Sequence, residues 1–125
     1  MNPDLHANPL EAIIESFRPW GGFRQYTLNQ KTTVKILTVL PGEYLSLQYH
    51  QHRDELWLIL DGGLWVQLDS EKLEPDVGAE LYIPRGTHHR LGNSSSSPAR
   101  VLEIAFGDFD EDDIHRLEDR YGRLP

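Results

Sequence analysis

Residues 46–57, SLQYHQHRDELW, place two histidines two positions apart within an apolar run, then a glutamate three positions further on. Side chains two apart on a strand share a face. Read as a strand, the stretch turns Ser46, Gln48, His50 and His52 to one side and Leu45, Leu47, Tyr49 and Gln51 to the other. If the polar side points into a barrel, it lines a cavity. Glu55, Trp57 and Ile59 alternate on the next run, so Glu55 can join that cavity from an adjacent strand after a tight bend. The competing reading puts both histidines on the outer face of a sheet.

A second segment tips the balance. Residues 78–93, GAELYIPRGTHHRLGN, carry Pro84, which is excluded from a central ladder, and Gly86, which permits a tight turn. That corner returns His89 toward a barrel interior, while His88 faces the opposite way. Four of the six histidines thus fall in two clusters, His50/His52 and His88/His89.

The surrounding chain supports an all-β fold. Short apolar runs, among them TTVKILTVL, ELWLIL, LWVQL, ELYI and RVLEIAF, are punctuated by Pro and Gly with no room for an ordinary helix between them. This favours an antiparallel sandwich or barrel over about residues 24–107. NPLEAIIESF reads as a helix over about 8–17, capped by Asn8, with Leu10, Ile13, Ile14 and Phe17 on one face. The tail reads as a second helix over about 110–121, with four acids in its first turn and Arg116 and Arg120 near its end. The acidic run lacks the spaced ligands of a calcium loop. GNSSSSPA, residues 92–99, reads as an exposed connection.

At 125 residues the chain has the length of one domain, 1–125, with one core. Its net charge of −8 argues against nucleic acid or an anionic membrane as partner, and the absence of cysteine excludes disulfides and thiolate metal sites. Neither a secretory signal nor an apolar run long enough to span a membrane is evident, so a cytoplasmic location is expected.

The two histidine segments resemble the paired motifs of the cupin family. Gly78, Pro84, Gly86, His89 and Asn93 match its second motif without a gap. Gly42, His50, His52, Glu55 and Gly62 follow the first, with the glycine-to-histidine interval longer than usual and the histidine-to-glutamate interval shorter. RPWG, VKILTVLPGEYLSLQYHQHRDELW, IPRGTHHRLGN and LEIAFGDFDEDDIHRLEDRYGR extend the similarity to the cupin module of type II mannose-6-phosphate isomerases, a module that often follows a mannose-1-phosphate guanylyltransferase domain. The chain departs from that pattern at Leu56, Gly92 and Ala105, where the family usually has His, Glu and Gln. The resemblance implies a single-domain jelly-roll-like antiparallel β-barrel with short terminal helices. It also implies one divalent metal ion bound by His50, His52, Glu55 and His89. Zinc or manganese come first among the candidates; iron, cobalt and nickel remain alternatives.

The implied reaction interconverts mannose 6-phosphate and fructose 6-phosphate through an enediolate. Glu103, in VLEIAF, is the candidate base; Arg53 and Arg90, which neighbour metal-ligand candidates, are catalytic or phosphate-binding candidates. Lys35 and Arg85 are further phosphate ligands, Gln48 a pocket-lining amide, and Trp57 a sugar contact toward the same cavity. Two other classes are weighed beside the isomerase: a non-catalytic cupin that binds a sugar or small acid, and a metal-dependent oxygenase. An uncovered sheet edge would favour a homodimer.

Overall fold

The computed structural model describes residues 8–123. Eleven strands follow one another: β1 (Ile14–Arg18), β2 (Gly21–Gln25), β3 (Thr32–Val39), β4 (Leu47–Tyr49), β5 (Asp54–Ile59), β6 (Leu64–Leu68), β7 (Glu71–Leu73), β8 (Glu80–Ile83), β9 (His89–Asn93), β10 (Ala99–Phe106) and β11 (His115–Glu118). β1 and β2 form a separate hairpin. The others make a four-stranded sheet in the order β3-β10-β5-β8 and a five-stranded sheet in the order β11-β4-β9-β6-β7, paired antiparallel throughout. The result is a jelly-roll sandwich. No helix among the described residues is long and apolar enough to cross a membrane.

Period-two alternation decides what each sheet buries. Val39, Trp57, Ile59, Ile83 and Val101 from the four-stranded sheet meet Leu64, Val66 and Leu91 from the five-stranded sheet in one core. Burying a side chain of this kind contributes roughly 1.5–3 kcal/mol, so this layer dominates the fold's stability. The outer face of the four-stranded sheet carries a second cluster of Leu56, Ile104 and Phe106, packed by Leu10, Ile13 and Tyr26 from the N-terminal segment. From Leu56 to Ile59, β5 is therefore apolar on both faces, after the buried acids Asp54 and Glu55 that open it.

Both terminal helices expected from sequence are replaced by other structure. At the N-terminus only Pro9–Ala12 winds, as a 3₁₀ turn, with the Asn8 side chain accepting from the Leu10 amide at 2.9 Å. The chain then extends into β1, which pairs with β2 across the turn at Pro19 and Trp20. The β-branched Ile13-Ile14 pair and the Gly21-Gly22 pair favour the hairpin over further winding. At the C-terminus Asp110–Asp113 form a turn closed by Asp113 N to Asp110 O at 3.0 Å, and β11 follows it. β11 covers the edge of β4, a gain that a short, isolated, acid-rich helix would not offer.

The serine-rich connection folds around Asn93. Its amide donates to the carbonyls of Val39 and Ser97 at 2.9 and 2.8 Å, and its Oδ1 accepts from the Ser95 amide at 2.8 Å.

Candidate active site

Three of the expected metal ligands converge. His50 follows β4, Glu55 lies on β5 and His89 opens β9; one ligand atom from each lies within 4.8 Å of the others, and all three residues are buried. The corner around Gly86 brings the two segments together, for its amide donates to the His50 carbonyl at 2.7 Å. Gly86 has φ +84, a left-handed conformation that glycine adopts without strain.

Backbone carbonyls fix both imidazoles. His50 Nδ1 lies 2.8 Å from Asp113 O, and His89 Nδ1 lies 2.9 Å from Thr87 O. A carbonyl only accepts, so each Nδ1 carries the hydrogen and each Nε2 presents its lone pair to the site. Burial lowers the pKa of His50 to about 4 and that of His89 in the same direction, which keeps both rings neutral at pH 7. Glu55 Oε2 is 3.6 Å from His50 Nε2, and Glu55 Oε1 is 3.7 Å from His89 Nε2. Glu55 Oε1 and His89 Nε2 are buried without a hydrogen-bond partner. A carboxylate oxygen and a lone pair facing one another, both desolvated, suit a cation between them, so this donor set fits a divalent metal ion.

His52 does not join the cluster. β4 ends at Tyr49, so the period-two rule that grouped His52 with His50 stops before it applies. His52 is exposed in the bend, and its amide donates to Asp113 Oδ2 at 2.9 Å. Arg53 turns inward instead. Its Nε donates to Glu55 Oε2 at 3.0 Å, its Nη2 stands 3.3 Å from His50 Nε2, and its guanidinium packs over the Phe109 ring at 4.2 Å.

A cavity of about 190 Å³ opens beside the cluster, lined by Lys35, Gln48, His50, Arg53, Glu103 and Arg116 among others. Glu103 is buried on β10, and burial first, then the charge of Glu55, push its pKa up to about 7. Trp57 Nε1 donates to Glu103 Oε2 at 3.2 Å. Trp57 is itself 1% exposed, so it positions Glu103 and offers no face to a sugar. Arg85 and Arg90, both expected at the phosphate, are engaged elsewhere. Arg85 holds Asp54 through its amide at 2.7 Å and its Nη2 at 3.3 Å. Arg90 donates to the carbonyls of Leu45 and Glu118 at 3.0 and 3.4 Å and lies over the Tyr44 ring.

The three departures from the family pattern have distinct surroundings. Leu56 packs in the outer cluster, on the opposite face of β5 from Glu55. Gly92 lies under the Trp65 indole, where a Cβ would come 2.1 Å from Cε2. Ala105 pairs in register with Glu55 and is the one departure on the cavity side of its sheet.

Two residues of the tail escaped the sequence reading. Asp113 accepts from the amides of Gln51 and His52 at 3.0 and 2.9 Å. Although burial opposes its ionisation, these two amides hold its carboxyl below the usual range. Arg116 lines the cavity. The signal was present in IHRLE: counted by twos, Ile114 and Arg116 share a face, and both line the cavity.

Residues 6–119 match the family described as mannose-6-phosphate isomerase C-terminal. The chain belongs to this family. Among its relatives are the xanthan biosynthesis protein XanB of Xanthomonas campestris pv. campestris, 42% identical over 108 residues, and the alginate biosynthesis protein AlgA of Pseudomonas aeruginosa, 40% identical over 110. The mannose-1-phosphate guanylyltransferase ManC of Salmonella typhimurium is 39% identical over 111 residues. These alignments cover 86%, 87% and 88% of this chain but 23% of each relative, so the family's cupin domain is what the chain shares with them. The fold is similar to that of the capsular polysaccharide assembling protein CapF from Staphylococcus aureus. The TM-score is 0.62 at 19% identity, over 85% of this chain and 32% of that one. It is also similar to a cupin protein from Bacteroides fragilis, with a TM-score of 0.56 at 26% identity over 66% of this chain and 72% of the other.

Proposed function

We propose that the chain interconverts mannose 6-phosphate and fructose 6-phosphate, a step that feeds sugar precursors to polysaccharide synthesis. One observation carries the proposal: a buried carboxyl poised near neutrality shares a cavity with His50, one of three converging metal-ligand candidates, in a chain of the isomerase family. A base for this reaction must be ionised often enough to take a proton and basic enough to want it, and a pKa near 7 meets both demands. Glu103 takes the proton from C2 of the aldose and returns it to C1, while the hydroxyl proton passes from O2 to O1; atoms and charge balance. The Trp57 indole holds Oε2 of Glu103 and leaves the other oxygen for the proton.

His50, Glu55 and His89 would hold the metal, with zinc or manganese the best match to two imidazoles and a carboxylate. When bound, the ion supplies positive charge for the developing oxyanion. Three protein ligands are the pattern of a catalytic site, not of a closed structural one. Arg53 braces Glu55 and His50, and Gln48 offers an amide to sugar hydroxyls.

A coupled assay of the full chain, before chelation, after it and after reloading with zinc or manganese, tests this reading. Turnover that follows metal loading and disappears in Glu103→Gln supports it. A second reading is favoured by the Arg53 guanidinium standing against Glu55 and His50, since the chain then carries its own cation there. In that case the domain binds a sugar without turning it over. Calorimetric binding of mannose 6-phosphate that ignores chelation, with no product formed, would select it.

A further inference from the structure

Nine arginines occur in the chain, and eight find a hydrogen-bond acceptor. Arg24 holds Glu80, Arg53 holds Glu55, Arg85 holds Asp54, Arg100 holds Asp61 and Arg123 holds Asp119. Arg18 reaches Ser16, Arg90 the Leu45 carbonyl and Arg120 the Gly42 carbonyl. Arg116 has no hydrogen bond or ion pair among the described residues, and its Nε is buried. A guanidinium carries five N–H donors and does not deprotonate in a protein, so keeping its Nε–H out of water without an acceptor is costly, while the half-buried remainder of the group faces the cavity. That this happens in a chain with 20 acidic residues points to an acceptor from outside.

The strand register says where that acceptor would sit. Arg116 on β11 is opposite Gln48 on β4, and Gln48 is opposite His89 on β9. Directly opposed residues share a face, so Arg116, Gln48 and His89 form a row across three strands. Strands lie about 4.8 Å apart, which puts the Arg116 backbone about 10 Å from that of His89. Lys35 lines the same cavity, and its own partner, Glu111, is exposed at 3.3 Å.

We infer that Arg116 is the anion anchor of the site and takes the phosphate of a phosphorylated monosaccharide. The phosphate receives the guanidinium fork, the carbon chain crosses Gln48, and the carbonyl end reaches the His50–Glu55–His89 cluster and Glu103. The length of the row selects sugars whose phosphate is remote from the carbonyl, such as hexose 6-phosphates; a 1-phosphate would carry its charge to the wrong end. The sugar part of this inference rests on the isomerase reading, and the anion site does not.

Calorimetric titration of the full chain with inorganic phosphate tests the anchor without turnover. Arg116→Gln should weaken phosphate binding at least tenfold and Arg116→Lys should fall between it and wild type. Arg100→Gln, whose partner Asp61 lies outside this cavity, should change nothing. Affinity for mannose 6-phosphate should drop with the phosphate affinity, and affinity for mannose 1-phosphate should be weak throughout. In the wild-type protein, the Arg116 Nε resonance should shift on phosphate titration, a readout independent of how well the variants fold. Phosphate binding that depends on Arg116 in a protein without isomerase activity would uphold the anchor and sink the isomerase reading. Wild-type phosphate affinity in Arg116→Gln, or an Nε resonance that phosphate leaves unmoved, overturns the inference.

Discussion

His50 Nδ1 donates to the backbone carbonyl of Asp113 at 2.8 Å, and the Asp113 carboxylate holds the next two amides of the same bend, those of Gln51 and His52. One residue near the C-terminus therefore sets both the tautomer of a metal-ligand candidate and the path of the chain that follows it. Partners of this kind change metal affinity by about 10–100-fold when removed. Asp113→Ala keeps that carbonyl but frees the bend that aims it at His50, so it should lower zinc affinity by about tenfold, the low end of that range, read by competition with a chromophoric chelator. It should also cost about 1–3 kcal/mol in denaturant unfolding, because two amides lose their acceptor. Asp113→Asn, which keeps one oxygen, should lose less of both.

The histidines of the first motif should separate on mutation. His50→Ala and His89→Ala each remove one of three converging donors and should abolish stoichiometric metal, measured by elemental analysis of the purified protein. His52 is exposed and outside the cluster, so His52→Ala should retain the wild-type metal content. Equal loss in all three would show that the bend rearranges around the ion.

Glu103→Gln keeps the shape of the side chain and its bond from Trp57 but removes the base. Loss of a general base costs about 10²–10⁴-fold in rate. The drop should appear in kcat, with KM and metal content near wild type. A fall in KM-related binding alone would assign Glu103 to substrate positioning.

The same variant has a signature in stability. In the metal-free protein Glu103 holds its proton up to about pH 7, against an ordinary value of 4.5, because it is buried and near Glu55. Between these pH values the folded state keeps a proton that the unfolded chain has released, so the group favours folding less as pH rises. Relative to Glu103→Gln, chelated wild type should lose about 3 kcal/mol between pH 4.5 and 7. His50 acts in the opposite sense, since its pKa is lowered to about 4 and stability is lost as pH falls from 6.5 toward that value. It is common to both proteins and cancels in the difference. Parallel urea titrations at pH 5 and pH 8 give the sign; a constant difference would contradict it.

Gly92 tests how tightly the Trp65 ring is packed onto the sheet. A Cβ there would meet the Trp65 ring at 2.1 to 2.2 Å. Gly92→Ala should destabilise by about 1–3 kcal/mol through overpacking, read as a fall in the urea midpoint. Pairing it with Trp65→Leu should recover part of the loss.

The sequence by itself determined the all-β class and the two motif segments, because strand alternation and the Pro84–Gly86 corner are local rules written in consecutive residues; the resemblance those segments carry supplied four metal-ligand candidates, of which three converge. It also offered Glu103 of VLEIAF as a base candidate, and the structure sets that residue on the cavity. Tertiary structure alone decided the rest. His52 left the cluster and Arg53 entered it because a strand ended one residue before His50, a boundary that depends on the partner strand rather than on local preference. Trp57 moved from candidate sugar contact to positioning residue because only the packed sandwich shows which inward side chains reach the cavity and which fill the core. The terminal segments kept their apolar residues but not the expected winding: β4 had an edge to be covered, and hydrogen bonds to a neighbouring strand outweighed helix-compatible spacing. Asp113 and Arg116 gained their roles in the same step, when a tail more than sixty residues from His50 came to lie beside it.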